Sequence, residues 1–251
     1  MAAAPRPDAA ISERVLPAPL LGAIRHVFAQ RIEGVMLVGG TALAGYYAGH
    51  RRSDDMDLFT RDEACQRAAA LAVRSLVSIG AEIDVRSDSA QFFRAGVRFR
   101  DRDFTVDAAL HARLHEIGRS ETLPDGVVVA DFDTLLKMKT AALISRCGEK
   151  DLYDLLWILD RPGAGTLESL MAGGRELDAG MTPEGLIISV SGATLSAEAC
   201  GFALDPALPA EEVYAKVEKF RIELLAGFQK LAAREPAPEI ADLIKRVGRL
   251  S

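Results

Sequence analysis

Val35-Met-Leu-Val-Gly39-Gly40-Thr41-Ala-Leu-Ala-Gly45 is followed, four residues on, by His50-Arg51-Arg52-Ser53-Asp54-Asp55-Met56-Asp57-Leu58-Phe59. The apolar run before the glycines suits a short buried strand, and the glycines suit a turn into a helix over 41–48. A Gly-Gly-Thr turn at a helix start exposes backbone N–H groups where phosphate is favoured, so Gly39, Gly40 and Thr41 are candidate phosphate contacts. Asp55 and Asp57 stand two apart. On a strand their carboxylates share one face while Met56 and Leu58 anchor the other. Two adjacent hard oxygen ligands are what Mg²⁺, or Mn²⁺ in its place, takes when it also holds substrate phosphates.

Working outward, 81–110 reads as strands. Val97 and Phe99 are apolar at odd positions, whereas Phe104, Val106, Ala108 and Leu110 are apolar at even ones. That change of phase requires a turn or bulge near 100–103. Thr105 and Asp107 then face away from the apolar set, which makes Asp107 the natural third carboxylate beside Asp55 and Asp57. Asp101 and Asp103 compete for that place but sit at the phase change. Oxygens of a transferring phosphoryl or nucleotidyl group accumulate negative charge, and metal ions neutralise it. Asp55 and Asp57 would hold two ions, with Asp107 on the ion that activates the attacking oxygen. Asp107 is also placed to accept the acceptor's proton.

The order of turn, short helix and Asp-x-Asp strand resembles the nucleotidyltransferase superfamily. The wording GGTALAGYYAGHRRSDDMDLF is similar to one branch, the AbiEii/AbiGii toxin family. A second block, Lys139-Thr-Ala-Ala-Leu-Ile-Ser-Arg146 with Lys150-Asp151-Leu-Tyr-Asp154-Leu155, looks like that family's helical motif after the sheet. The resemblance implies an α/β (α+β) mixed sheet with flanking helices, then a mainly helical C-terminal domain. It implies transfer of a nucleotide from a nucleoside triphosphate, with Mg²⁺, to a macromolecular acceptor such as tRNA. It also implies a toxin with a cognate antitoxin, often a separate DNA-binding protein. Lys139 takes the triphosphate-contact role by resemblance, with Lys150 as the alternative. Arg146 shares the face of Lys139, and Asp151 and Asp154 are spaced to orient either cation. Arg52 and Ser53 are further candidate nucleotide contacts, Ser53 being better suited to capping. His50 belongs to the resemblance, where bonding the loop backbone suits it better than contact with substrate.

A chain of 251 residues, 49% of them hydrophobic, suits a catalytic domain with a helical extension. The expected division is an N-terminal arm and helix over 1–30, a nucleotidyltransferase domain over 31–130 and a helical domain over 131–251. Within the first part, 1–16 reads as a loose arm and 20–30 as a helix. The net charge of −6 provides no global basic field for nucleic acid. Any RNA contact is local, with Arg51, Arg52, Arg94, Arg98, Arg100, Arg102, Lys137, Lys139, Arg146 and Lys150 as candidates. Cys65, Cys147 and Cys200 are odd in number and widely spaced, which suits reduced thiols in the cytoplasm. No segment has the length and apolarity of a signal peptide or membrane span.

Further helices are expected over 62–79, from 131 or 133 to Gly148, from there to Arg161-Pro162-Gly163, over 211–233 and over 239–247. The stretch 161–209 is rich in glycine and proline and gives no clear pattern. His111 and His115 have helical metal-like spacing but lack an acidic partner. A small-molecule nucleotidyltransferase with an acidic pocket, to which Glu168, Glu176 and Asp178 would contribute, is the first alternative. A non-catalytic binding protein of the same fold is the second, and the intact carboxylates and Lys139 argue against it.

Overall fold

Residues 9–15 depart from the expected loose arm and form a helix, α1 (Ala9–Val15). Asp8 caps it by accepting the Ala10 N–H at 2.8 Å. Its C-terminal end packs where Gly45 leaves room, since a Cβ there would lie 2.8 Å from Leu16. The computed structural model describes residues 5–161 and 163–248, so the first four residues of that arm and Pro162 lie outside the described residues. The chain divides into two units, Pro5–Leu135 and Leu136–Ser251, and each is taken by itself.

In the first unit α2 (Ala18–Ala29) leads to β1 (Val35–Val38), whose four residues are all buried. The chain turns at Gly39, φ +70°, into α3 (Gly39–Leu43), which continues as a π-helical turn over Ala44–Ala48. β2 (Asp55–Thr60) alternates half-buried and buried residues, so Asp55 and Asp57 share one face while Met56 and Leu58 face the core. α4 (Glu63–Arg74) starts at the Asp62 cap, which accepts the Cys65 N–H at 2.9 Å, and a 3-10 turn carries it to Gly80 at φ +91°. β3 (Ala81–Asp88), β4 (Phe92–Phe99) and β5 (Arg102–Leu110) form an antiparallel meander. The expected change of phase is the turn between β4 and β5, where Arg100 takes φ +57°.

α5 (Ala112–Ile117) and two three-residue strands, β6 (Ser120–Thr122) and β7 (Val128–Ala130), complete the unit. The seven strands form one mixed sheet in the order β3-β4-β5-β2-β1-β7-β6. β2 runs parallel to β5 and β1 parallel to β7. α2 and α4 pack on β2 and β5. Gln66 of α4 pins this packing: its amide accepts the Thr60 hydroxyl at 2.8 Å and donates to the Ala108 carbonyl at 2.7 Å.

α6 (Phe132–Ser145), whose Thr134 N–H is capped by Asp131 at 2.8 Å, leads into the second unit. There α7 (Glu149–Leu159) follows Gly148. The stretch without clear pattern holds α8 (Leu167–Arg175) and α9 (Pro183–Gly192). α10 (Ala210–Ala232) buries Val213, Val217, Phe220 and Leu224 as its spacing implies, and packs against α7, α8, α9 and α11 (Ile240–Val247). No helix among the described residues is long and apolar enough to cross a membrane.

Candidate active site

The sheet register brings the carboxylates together. Asp57 of β2 is the direct partner of Asp107 on β5, and Asp55 is the partner of Thr105. Adjacent strands lie about 4.8 Å apart, so these residues form two short rows across the polar face. Thr105 donates its hydroxyl to Asp55 Oδ1. Asp57 lies against the glycine turn. A Cβ on Gly39 would overlap the Asp57 carboxylate, and the positive φ also suits glycine there.

The turn is tied to the loop before β2. The Thr41 hydroxyl lies within bonding distance of the Asp55 carbonyl and of Ser53 Oγ, the latter at 2.8 Å. Ser53 is buried, whereas Arg52 is exposed. Arg51, 2% exposed, is the arginine that lies on the turn: its guanidinium fills the space a Cβ on Gly40 would take and donates to the Arg52 carbonyl at 2.8 Å. In the sequence Arg51 stands only among the candidate RNA contacts. The alternation of Arg51 and Ser53 inward with Arg52 and Asp54 outward was the available signal.

Arg94, a second candidate RNA contact in the sequence, is also engaged at the site. It stands directly opposite Asp107 on β4. Its Nε donates to Asp107 Oδ1 at 2.7 Å and its Nη2 to Oδ2 at 2.5 Å. This bond with Asp107 and the charge of Asp107, then those of Asp57 and Asp55, hold the guanidinium even more firmly protonated than usual. Among the described residues no three His, Cys, Asp or Glu side chains gather as a metal-holding group. Asp55 and Asp57 fit a divalent ion that takes two protein carboxylates and completes its shell with phosphate and water.

An open cleft of about 740 Å³ runs from Asp55 and Thr105 over β3, β4 and β5. Asp54, Glu82, Asp84 and Asp103 make its edges acidic against Arg86 and Arg98. Arg98 pairs with Asp103 at 2.8 Å and Arg86 with Asp84 at 3.3 Å. Asp101 takes no part in this lining, and Asp103 is engaged by Arg98 rather than turned to Asp55. His111 caps α5 by accepting the Leu114 N–H at 3.1 Å, and His115 bonds the Phe59 carbonyl.

In the second unit Lys139 is buried between two carboxylates, Asp151 Oδ1 at 2.9 Å and Asp154 Oδ2 at 2.7 Å. Arg146, itself largely exposed, forks onto Asp151 at 2.6 and 2.9 Å. Burial pushes the Asp151 carboxyl upward, but the charge of Lys139 and the bond and charge of Arg146 outweigh it and hold it below the usual carboxylate value. Lys150 is exposed. Glu176 is engaged by Lys137 at 3.0 Å and Asp178 by the Gly180 N–H at 2.8 Å.

Three solved structures share this fold. JHP933 from Helicobacter pylori is 17% identical, with a TM-score of 0.51 over 87% of this chain and 97% of that one. A putative nucleotidyltransferase from H. pylori is 18% identical, with a TM-score of 0.51 over 89% and 97%. MenT4, a nucleotidyltransferase toxin from Mycobacterium tuberculosis H37Rv, is 19% identical, with a TM-score of 0.52 over 85% of each chain. No curated protein sequence matches significantly. The profile described as "Nucleotidyl transferase AbiEii toxin, Type IV TA system" matches residues 23–180, which include both the glycine turn with its carboxylates and the Lys139 cluster. The chain belongs to the AbiEii nucleotidyltransferase toxin family.

Proposed function

We propose that this protein transfers a nucleotide from a nucleoside triphosphate to a hydroxyl or phosphate of RNA, tRNA being the leading acceptor, and that it acts in the cytoplasm under control of a cognate antitoxin. The observation that carries the reading is the seating of Asp57 on Gly39, which puts a carboxylate row against a glycine turn at the start of a helix. In this proposal the backbone N–H groups of Gly39, Gly40 and Thr41 hold phosphate oxygens. Asp55 and Asp57 hold Mg²⁺ or Mn²⁺, which supplies charge neutralisation at the α-phosphate. The acceptor oxygen attacks the α-phosphorus, the bond to the bridging oxygen breaks, and pyrophosphate departs. Asp107 receives the proton of the acceptor hydroxyl. Arg52 and Ser53 flank the nucleotide, and the family resemblance adds a phosphate-contact role for Lys139, Arg146 and Lys150, with Asp151 and Asp154 orienting them.

The acidic edges of the cleft beside Asp55 favour a second reading, in which the acceptor is a small cation. One experiment separates the two. The purified protein is incubated with Mg²⁺, each of the four labelled nucleoside triphosphates, and total cellular RNA. The first reading predicts label in one RNA class from one donor. Label that enters only amine-bearing small molecules overturns it in favour of the second.

A further inference from the structure

The open cleft beside Asp55 lies within the sheet unit, and the strand register explains its shape. Asp55, Thr105, Gly96 and Asp84 form one row across β2, β5, β4 and β3. Gly96 leaves the floor of that row without a side chain. β3 bulges between Val85 and Ser87, and the extra residue, Arg86, lays its guanidinium over the glycine. A Cβ on Gly96 would lie 2.9 Å from its Nη2 and 3.3 Å from its Cζ. The Arg86 side chain is more than half exposed, and the space beside it, about 740 Å³, suits a small organic ligand.

The charge of the lining selects the occupant. Among the described residues, five carboxylates and two guanidinium groups line the cleft, and Arg86 and Arg98 each pair with one of those carboxylates. Such a lining repels a phosphate group. A nucleobase is neutral, stacks on an arginine plane and offers exocyclic N–H groups to carboxylate acceptors. The position of the cleft says which base. The glycine turn follows β1, on one side of β2, whereas the cleft opens over β5, β4 and β3 on the other. Attacking and leaving oxygens lie roughly in line, so pyrophosphate departing at the turn puts the acceptor on the cleft side.

We propose that this cleft is the acceptor subsite and seats the terminal base of a hydroxyl-bearing RNA end, stacked on Arg86 with its exocyclic amine turned to Glu82 and Asp84. The inference rests on the RNA reading above and adds to it a preference for an end whose base carries an amine. Arg86 and Gly96 then act on specificity.

The test uses the full chain, Mg²⁺, each labelled nucleoside triphosphate, and two RNA hairpins that differ only in a terminal cytidine or uridine, with total cellular RNA as a third acceptor. Cytosine and uracil match in size and differ in an amine against a carbonyl. In the intact protein the KM for the cytidine-ended hairpin should lie about tenfold below that for the uridine-ended one. Gly96→Val fills the floor and displaces Arg86, so it should raise the cytidine hairpin's KM by about tenfold and bring the two hairpins level, with the KM for triphosphate unchanged. Valine suits a strand, and the atoms nearest its Cβ belong to a flexible side chain, so the sheet keeps its fold. Arg86→Ala, at an exposed position, should raise both hairpin KM values about tenfold by removing the stacking plane. Equal KM values in the intact protein, or unchanged hairpin KM values in both variants, overturn the inference. A rise confined to the triphosphate KM assigns the cleft to the donor's base and overturns it too. Labelling of total RNA but of neither hairpin overturns the inference and leaves the RNA reading in place; labelling of no RNA overturns both.

Discussion

Gly39 has no side chain where the Asp57 carboxylate needs the space, and its φ of +70° is one that an L-residue enters only with strain. Gly39→Ala should therefore move Asp57 rather than unfold the sheet. We expect a stability loss of about 1–3 kcal/mol and a fall in transfer rate of about 10²-fold, the scale on which a displacement of an ångström acts. Thermal melting and initial rates measured together check this. An unchanged rate would mean that Asp57 is not held by the turn. The glycine pair and the Asp-x-Asp spacing were legible because each is a local rule of backbone and pleat. Arg51 and Arg94 were not, since what distinguishes them from other arginines is a neighbour across the fold: Gly40 eleven positions before one, Asp107 on the next strand for the other.

The helix pair α6 and α7 is joined by an ion cluster whose inner members are buried. Lys139 and Asp154 have side chains 5% and 0% exposed. Removing one partner of such a pair leaves an uncompensated buried charge, so Asp154→Ala should cost about 3–5 kcal/mol in a urea or thermal titration. A loss below 1 kcal/mol would show that water or another group takes over. The same cluster predicts acid sensitivity. The folded Asp151 carboxyl titrates below its unfolded value, so its contribution is complete above about pH 3.9 and disappears as pH falls through the lower folded value. Asp151→Asn should flatten that acid limb of a stability-against-pH curve. Loss of activity in Lys139→Ala needs a melting curve beside it, because the lysine also neutralises two buried carboxylates.

Elements with a clear apolar pattern were readable: β1, β2, α10, and α4 together with the 3-10 turn that follows it, lie within a residue or two of where spacing puts them. β6 and β7 were not, because three residues are too few to show alternation. In 161–209 the glycines misled. Gly174 is there to let Met181 close on α8, not to break it. The start signals were present in that stretch, Thr166 with Ser169 as a capping box and Thr182 before Pro183.

For the molecule as a whole, a net charge of −6 and arginines that are paired with carboxylates on β3, β4 and β5 leave few cations to neutralise nucleic-acid phosphates. Recognition of an RNA acceptor would then depend on local shape near the carboxylate row more than on a broad basic surface. The account's central claim is that Asp55 and Asp57 carry the reaction. Its most direct test is the transfer rate of Asp55→Asn/Asp57→Asn against the intact protein, with melting temperature recorded for both. The account predicts that labelled transfer falls by at least about 10³-fold while the melting temperature stays within a few degrees. Transfer at the native rate by the doubly substituted protein would contradict it.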